Sequence, residues 1–259
     1  MIDYERRSGM LEETVQQEFY TSFSGLQAGS FFSDQLIAAE TVEPKRLGIF
    51  PYMPDEPVYT VSDLGVGLRF FTWFFQVHRG MVRWIDCNQL DSGAIPEFIK
   101  MVRAKPYIYA EHFAPFDIGT IDQSTGYTRI MAATKLGLHF HALPKLLISD
   151  RIDLARRVFP ISLFNEITTR PGWKALLGYR RKYNEDLREF SVEEVHDENS
   201  HGGTAFCYGC VAVRRFLGVT TSGAQAVTDF DEFHNETPKQ SYETDFNEFS
   251  NYGVDDEEF

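Results

Sequence analysis

The chemical reading starts from two histidines one residue apart, in Leu138-His139-Phe140-His141-Ala142-Leu143. On a strand, residues i and i+2 project to one face, so His139 and His141 could share a divalent ion, with Glu111 as a third ligand. A second set, His196, His201, Cys207 and Cys210, reads His-x4-His-x5-Cys-x2-Cys. Two nitrogen and two sulfur donors suit tetrahedral zinc. The spacing differs from common zinc fingers, and Cys207 and Cys210 fall in a segment read as strand. There i and i+3 face opposite sides unless Tyr208-Gly209 makes a turn. The plainer alternatives are solvent-facing strand histidines and buried free thiols. No Gly-rich phosphate loop, Gly-x-Ser-x-Gly elbow or paired-carboxylate motif is present.

The elements that would position these groups are mostly short strands. Phe71, Trp73, Phe75 and Val77 alternate, and after Arg79-Gly80 a second run, Met81 to Ile85, follows. Tyr107–Ala110, Gly126–Ala132, Leu136–Leu143 and Val158–Phe164 also read as strands. So does Thr204–Phe216, apolar on both faces between Phe206 and Val213 as a buried strand should be. Helical spacing is found at Ile95–Val102 and Pro171–Tyr183, while Met10–Tyr20 is a short helix or an extended arm. Frequent prolines interrupt long helices. The 23 Phe, 12 Tyr and 3 Trp favour pleated, half-buried surfaces. Short strands with long loops suggest an antiparallel jelly-roll sandwich over residues 31–220, mainly β with a few short helices. An N-terminal arm, 1–30, would precede it.

The 259 residues suit one large domain or two small ones. No apolar run is long enough for a transmembrane helix, and Met1 to Arg7 lacks the apolar core of a signal peptide. Three cysteines do not make a disulfide framework, which suits a reducing compartment. Of the net charge of −13, residues 229–259 carry −10, from eleven acids and Lys239. The body, at −3, lacks the basic excess of a dedicated duplex-DNA binder. Residues 221–259 mix acids with aromatics, and Thr228–Phe233 nearly repeats as Thr244–Phe249. This acidic aromatic tail buries little by itself and is expected to be disordered and outside the core.

Three patches in order resemble the jelly-roll capsid proteins of picorna-like RNA viruses. They are Ala39–Leu47, Phe70–Trp84 with its Arg79-Gly80, and Cys210–Val219, which looks like a last strand ending Phe-Leu-Gly. The chain departs from that pattern at His78, where Trp or Tyr is usual, and at Thr220-Thr221, where prolines are. The Asp-Asp-Phe linked to precursor self-cleavage in some of these viruses is replaced here by Cys210-Val211-Ala212-Val213, so that activity is not carried over. Asp229-Phe230 and Asp245-Phe246 are poor substitutes.

The resemblance implies a non-enzymatic subunit of a small icosahedral shell, found in the virion and, during assembly, in host cytoplasm. Its partners would be other capsid subunits, self or homologous, with viral genome RNA on the inner face and no membrane. His112–Phe116 reads as an aromatic loop, either seeding a subunit contact or folded back onto its own core. No catalytic, cofactor or metal residue is assigned on this reading.

Two further resemblances compete with it. The His139/His141 pair resembles the metal motif of rolling-circle replication endonucleases, which implies a helical tyrosine nucleophile, Tyr179 or Tyr183. The tail, ending Asp255-Asp256-Glu257-Glu258-Phe259, resembles those of phage single-strand-DNA-binding proteins, which dock partner enzymes, with body aromatics stacking bases.

Overall fold

The hairpin expected between Phe71 and Ile85 lies at the centre of a seven-stranded sheet. It joins β3 (Phe70–His78) to β4 (Met81–Leu90). Arg79 and Gly80 carry it, both at positive φ (50° and 77°), the backbone a two-residue hairpin turn requires. The structure is a computed structural model, and it describes residues 26–64, 69–91, 95–121 and 126–217.

Around the hairpin the chain alternates strand and helix: α1 (Ser33–Thr41), β1 (Leu47–Gly48), β2 (Val58–Leu64), then β3 and β4. After these come α2 (Ile95–Ala104), β5 (Tyr109–Pro115), α3 (Arg129–Lys135), β6 (Phe140–Leu143) and α4 (Ile148–Val158). The last elements are β7 (Ser162–Asn165), α5 (Arg170–Gly178), a small hairpin of β8 (Arg181–Asn184) and β9 (Glu189–Glu194), and α6 (Ser200–Leu217). The sheet order is β1-β7-β4-β3-β2-β5-β6. β2, β3 and β4 form an antiparallel meander, while β5 runs parallel to β2, β6 to β5, β7 to β4 and β1 to β7.

Strand alternation sorts the core into two faces. Val61, Phe71, Trp73, Phe75, Trp84 and Phe113 point to one side and pack against α6, with α4 and α5 beside it. Leu64, Phe70 and Phe140 point to the other side, under Phe98, Ile99 and Val102 of α2 and Ala133 of α3. In α2 those positions recur at helical spacing, so the expected Ile95–Val102 helix forms there.

The jelly-roll expectation is therefore corrected to a mixed α/β fold: an open, largely parallel-flanked sheet with helices on both faces. The decisive misreading is Thr204–Phe216, which is not a strand but most of α6. Twelve of the helix residues from Ser200 to Val213 are buried, because the helix is wrapped by the sheet and two neighbouring helices. An apolar run buried all round carries no periodicity to separate helix from strand. A side chain at Gly203 would bring its Cβ within 2.3 Å of the Tyr179 ring, and at Gly209 within 2.7 Å of Trp84. These glycines let the helix lie directly on its neighbours.

Smaller corrections follow the same logic. Gly126–Ala132 runs into α3, capped by the Thr128 hydroxyl accepting from Met131 N–H. Val158–Phe164 is a helical turn leading into β7. Of the two readings of His112–Phe116, the contact loop fails: the segment is mostly the end of β5, with Phe113 and Ala114 buried in the chain's own core. Of the capsid-like patches, Ala39–Leu47 runs from the end of α1 into β1, and Cys210–Leu217 lies inside α6. Met10–Tyr20 and the tail fall outside the described residues. No helix among those described is long and apolar enough to cross a membrane.

Candidate active site

Asp63 stands near the carboxyl end of β2, on the same face as Tyr59 and Val61 and under α6. The strand is Val58-Tyr59-Thr60-Val61-Ser62-Asp63-Leu64, buried on both faces, which fits a central sheet position. Its parallel neighbour β5 ends at Pro115, and a helical turn bearing Asp117 follows. Two adjacent parallel strands thus each carry an acid at their carboxyl end. Between them the chain switches from the meander to the crossover strands, the position where open α/β sheets form ligand crevices.

Across from Asp63 is the first turn of α6. His201 Nδ1 donates to Asp63 Oδ2 at 3.0 Å, and both side chains are largely shielded, 26% and 16% exposed. Burial raises the Asp63 carboxyl above its ordinary value, opposed by the His201 hydrogen bond, while Asp117 and Glu194 add to the rise. The carboxylate hydrogen bond in turn raises His201. The helix start is held by the loop before it: the Ser200 hydroxyl donates to the Asp197 carbonyl at 2.7 Å, and Arg180 pairs with the Asp197 carboxylate at 2.6 Å. The Gly202 carbonyl accepts the Trp73 indole N–H at 3.0 Å, tying the turn to β3.

These groups border a cleft of about 690 Å³ lined by Asp63, Arg69, Glu194, His201, Thr204 and the 196–200 loop. Glu194, at the end of β9, accepts hydrogen bonds from the Tyr179 phenol and, at 3.2 Å, from the Thr204 hydroxyl. Arg69 is exposed on its rim. The cleft so offers a carboxylate-held imidazole, the buried Glu194 carboxylate and an exposed cation on its rim. Among the described residues, no group of three or more His, Cys, Asp and Glu side chains is arranged to hold a metal ion.

The residues singled out from sequence are dispersed. His196 and His201 do line this cleft together. Cys207 and Cys210 are buried in the α6 core, their thiols pushed up by burial, Cys207 to about 12. His201 is already engaged by Asp63, so the four do not form a zinc site. His139 is exposed just before β6. His141 lies 3.9 Å from Glu111, but that carboxylate also takes Arg215 at 2.9 Å. Tyr179 is buried against Phe31 and Phe32, with burial holding its phenol protonated. Tyr183 packs edge-to-face against Phe190 in the small hairpin. Neither tyrosine sits on the sheet edge that carries His141.

Asp63, Arg69, Asp117, Glu194 and Thr204 are not legible as a set from sequence. The available signal is an acid closing a β-branched run, followed by Gly65 and Gly67 in sequence.

No family model matches the sequence, and no match is found among curated proteins. The fold does match solved structures. The large terminase of a thermophilic bacteriophage superposes with a TM-score of 0.54 at 12% identity, covering 73% of this chain and 45% of that one. The P22 large terminase nuclease domain superposes with a TM-score of 0.53 at 14% identity, covering 73% of this chain and 94% of that domain. The match thus takes in less than half the length of the thermophilic phage protein and nearly the whole of the P22 nuclease domain. At such identity the likeness is one of fold. It overturns the picorna-like capsid resemblance and, with it, the expectation of a non-enzymatic shell subunit assembling with capsid proteins around genomic RNA.

Proposed function

We propose that this chain is a nuclease-type domain that hydrolyses nucleic-acid phosphodiester bonds in the Asp63 cleft. One observation carries the reading. The fold likeness covers nearly all of a phage nuclease domain, and in this chain the switch-point crevice of that fold holds half-buried, chemically competent side chains rather than a sealed core. Arg69 supplies a cation at the rim, suited to a phosphate oxygen. The near-neutral body does not contradict this, since the cation is placed locally.

The test is cleavage of supercoiled plasmid and of single-stranded oligonucleotide by the full chain, in magnesium, in manganese and in chelator. The wild type is expected to cleave in at least one condition, and Asp63→Asn to lower the rate roughly 100-fold or more. A wild type inert in every condition, or an Asp63→Asn variant as active as wild type, would overturn the proposal.

A further inference from the structure

The cleft contains several titratable side chains, and their partners differ. Glu194 already receives the Tyr179 phenol and the Thr204 hydroxyl. Asp197 is paired with Arg180. His196, exposed on the loop, has no carboxylate holding its ring among the described residues. His201 is different. Its Nδ1 hydrogen is committed to Asp63 at 3.0 Å, which fixes the tautomer and leaves the Nε2 lone pair as the ring's remaining hydrogen-bonding position. The residue sits on the first turn of α6, and the Trp73–Gly202 hydrogen bond anchors that turn to the sheet. An imidazole held at one nitrogen by a carboxylate, in a water-accessible cleft with a cation on its rim, has the arrangement of a proton-transfer pair.

We propose that His201 is a catalytic residue, taking a proton from the attacking water at Nε2, and that Asp63 is its positioning residue. The inference rests on the nuclease reading of the same cleft. In the step, the water oxygen forms a bond to phosphorus as its proton passes to Nε2. The bond from phosphorus to the leaving sugar oxygen breaks, and that oxygen takes up a proton from the imidazolium, directly or through solvent. One water and one phosphodiester give one phosphomonoester and one alcohol, with His201 returned to its neutral form.

The charges around the ring determine the pH at which this works. They are Asp63 on β2, Arg69 before β3, Asp117 after β5, Glu194 on β9, and His196, Asp197 and Glu198 on the loop before α6. The Asp63 hydrogen bond raises His201 above its ordinary value, against burial and the opposing Arg69 charge. The neutral base is therefore favoured at higher pH than for an unpaired imidazole.

The experiment measures cleavage rate against pH for wild type, His201→Ala and His201→Gln, with and without added imidazole, alongside oligonucleotide affinity by fluorescence anisotropy. The expected loss for His201→Ala is about 10²–10⁴-fold at unchanged affinity. Imidazole is expected to restore at least a tenth of the lost rate (an order-of-magnitude criterion), and the acidic limb of the profile to disappear. His201→Gln, which retains a hydrogen-bond donor toward Asp63, controls for folding and should be as slow as His201→Ala. A His201→Ala variant within a few-fold of wild type overturns the inference and leaves the nuclease reading standing. So does a slow variant that imidazole does not revive and that keeps the wild-type acidic limb. A wild type with no cleavage overturns both.

Discussion

Two carboxylates, Asp86 buried and Asp63 half-buried, stand on opposite faces of the central sheet, and they are treated differently. Asp86, on β4, pairs in register with Phe74 and points away from α6. It is saturated: Lys105 Nζ at 2.5 Å, the Tyr107 phenol at 2.9 Å and the backbone N–H of Cys87 at 2.9 Å all donate to it. Asp63, on β2, points toward α6 and, among the described residues, receives one side chain, His201, at the edge of a cleft. A β-bulge in β4, at the register shift between Phe74 and Phe75, puts Asp86 on its face. The lesson lies in the partners. A buried acid whose lone pairs are filled by a lysine, a phenol and a main-chain amide is built for structure. One left with a single titratable partner beside solvent is built for chemistry.

The sharpest way to break this contrast is to remove the saturated acid. Asp86→Ala strips the partner from Lys105 and from the Tyr107 hydroxyl, whose titration burial and Asp86 together push up. Losing one member of a buried pair costs about 3–5 kcal/mol, and Lys105, 28% exposed, can turn toward water, so the lower end is expected. Urea unfolding at pH 7 reads it. A loss below about 1 kcal/mol would mean that Asp86 is not the structural member of the pair.

A smaller effect tests how the cleft is held from beneath. Gly203→Ala would push a methyl group into the Tyr179 ring. Overpacking of that kind costs about 1–3 kcal/mol. Because Tyr179 donates to Glu194, the displaced ring should also disturb the cleft. Thermal melts and oligonucleotide affinity should therefore both fall, whereas Asp86→Ala should lower stability and leave affinity, measured below the melting transition, near wild type. Equal loss of affinity in both variants would erase the distinction between the two faces.

How much of this is legible in the sequence follows from the range of each interaction. The β3–β4 hairpin is readable because alternation and an Arg-Gly turn are local, and α2 because Phe98, Ile99 and Val102 repeat at helical spacing. α6 is not, since a helix buried all round and a strand buried on both faces show the same unbroken apolar text. The misreading has consequences: with α6 counted as a strand, a shell-forming sandwich becomes the natural architecture. The site is hidden for a different reason. Asp63 and His201 are 138 residues apart, and neither sits in a short motif. The paired histidines and the His/Cys series draw attention because they are close in sequence, but the fold leaves His139 exposed outside any cluster and buries the cysteines.

The last prediction asks whether Asp63 is tolerated by the fold rather than required by it. Its carboxyl is raised, chiefly by burial, above its unfolded-state value of 3.8. A raised acid binds its proton more tightly folded than unfolded, so above pH 3.8 the unfolded chain holds fewer protons and stability falls as pH rises through the folded value. His201 runs the other way: raised above 6.5, it stabilises the fold at pH below 6.5 and loses that contribution as pH climbs through its folded value. Asp63→Asn removes the costly buried charge yet keeps an oxygen that can accept the Nδ1 hydrogen. The two effects oppose, so stability at pH 7 should change by less than about 1 kcal/mol in either direction. Over the same substitution the His201 titration, followed by NMR of the ring, should move down, because the charge that raised it is gone. A melt several degrees lower with an unmoved His201 titration would place Asp63 in the same class as Asp86, and the difference between the two faces of the sheet would no longer be one of purpose.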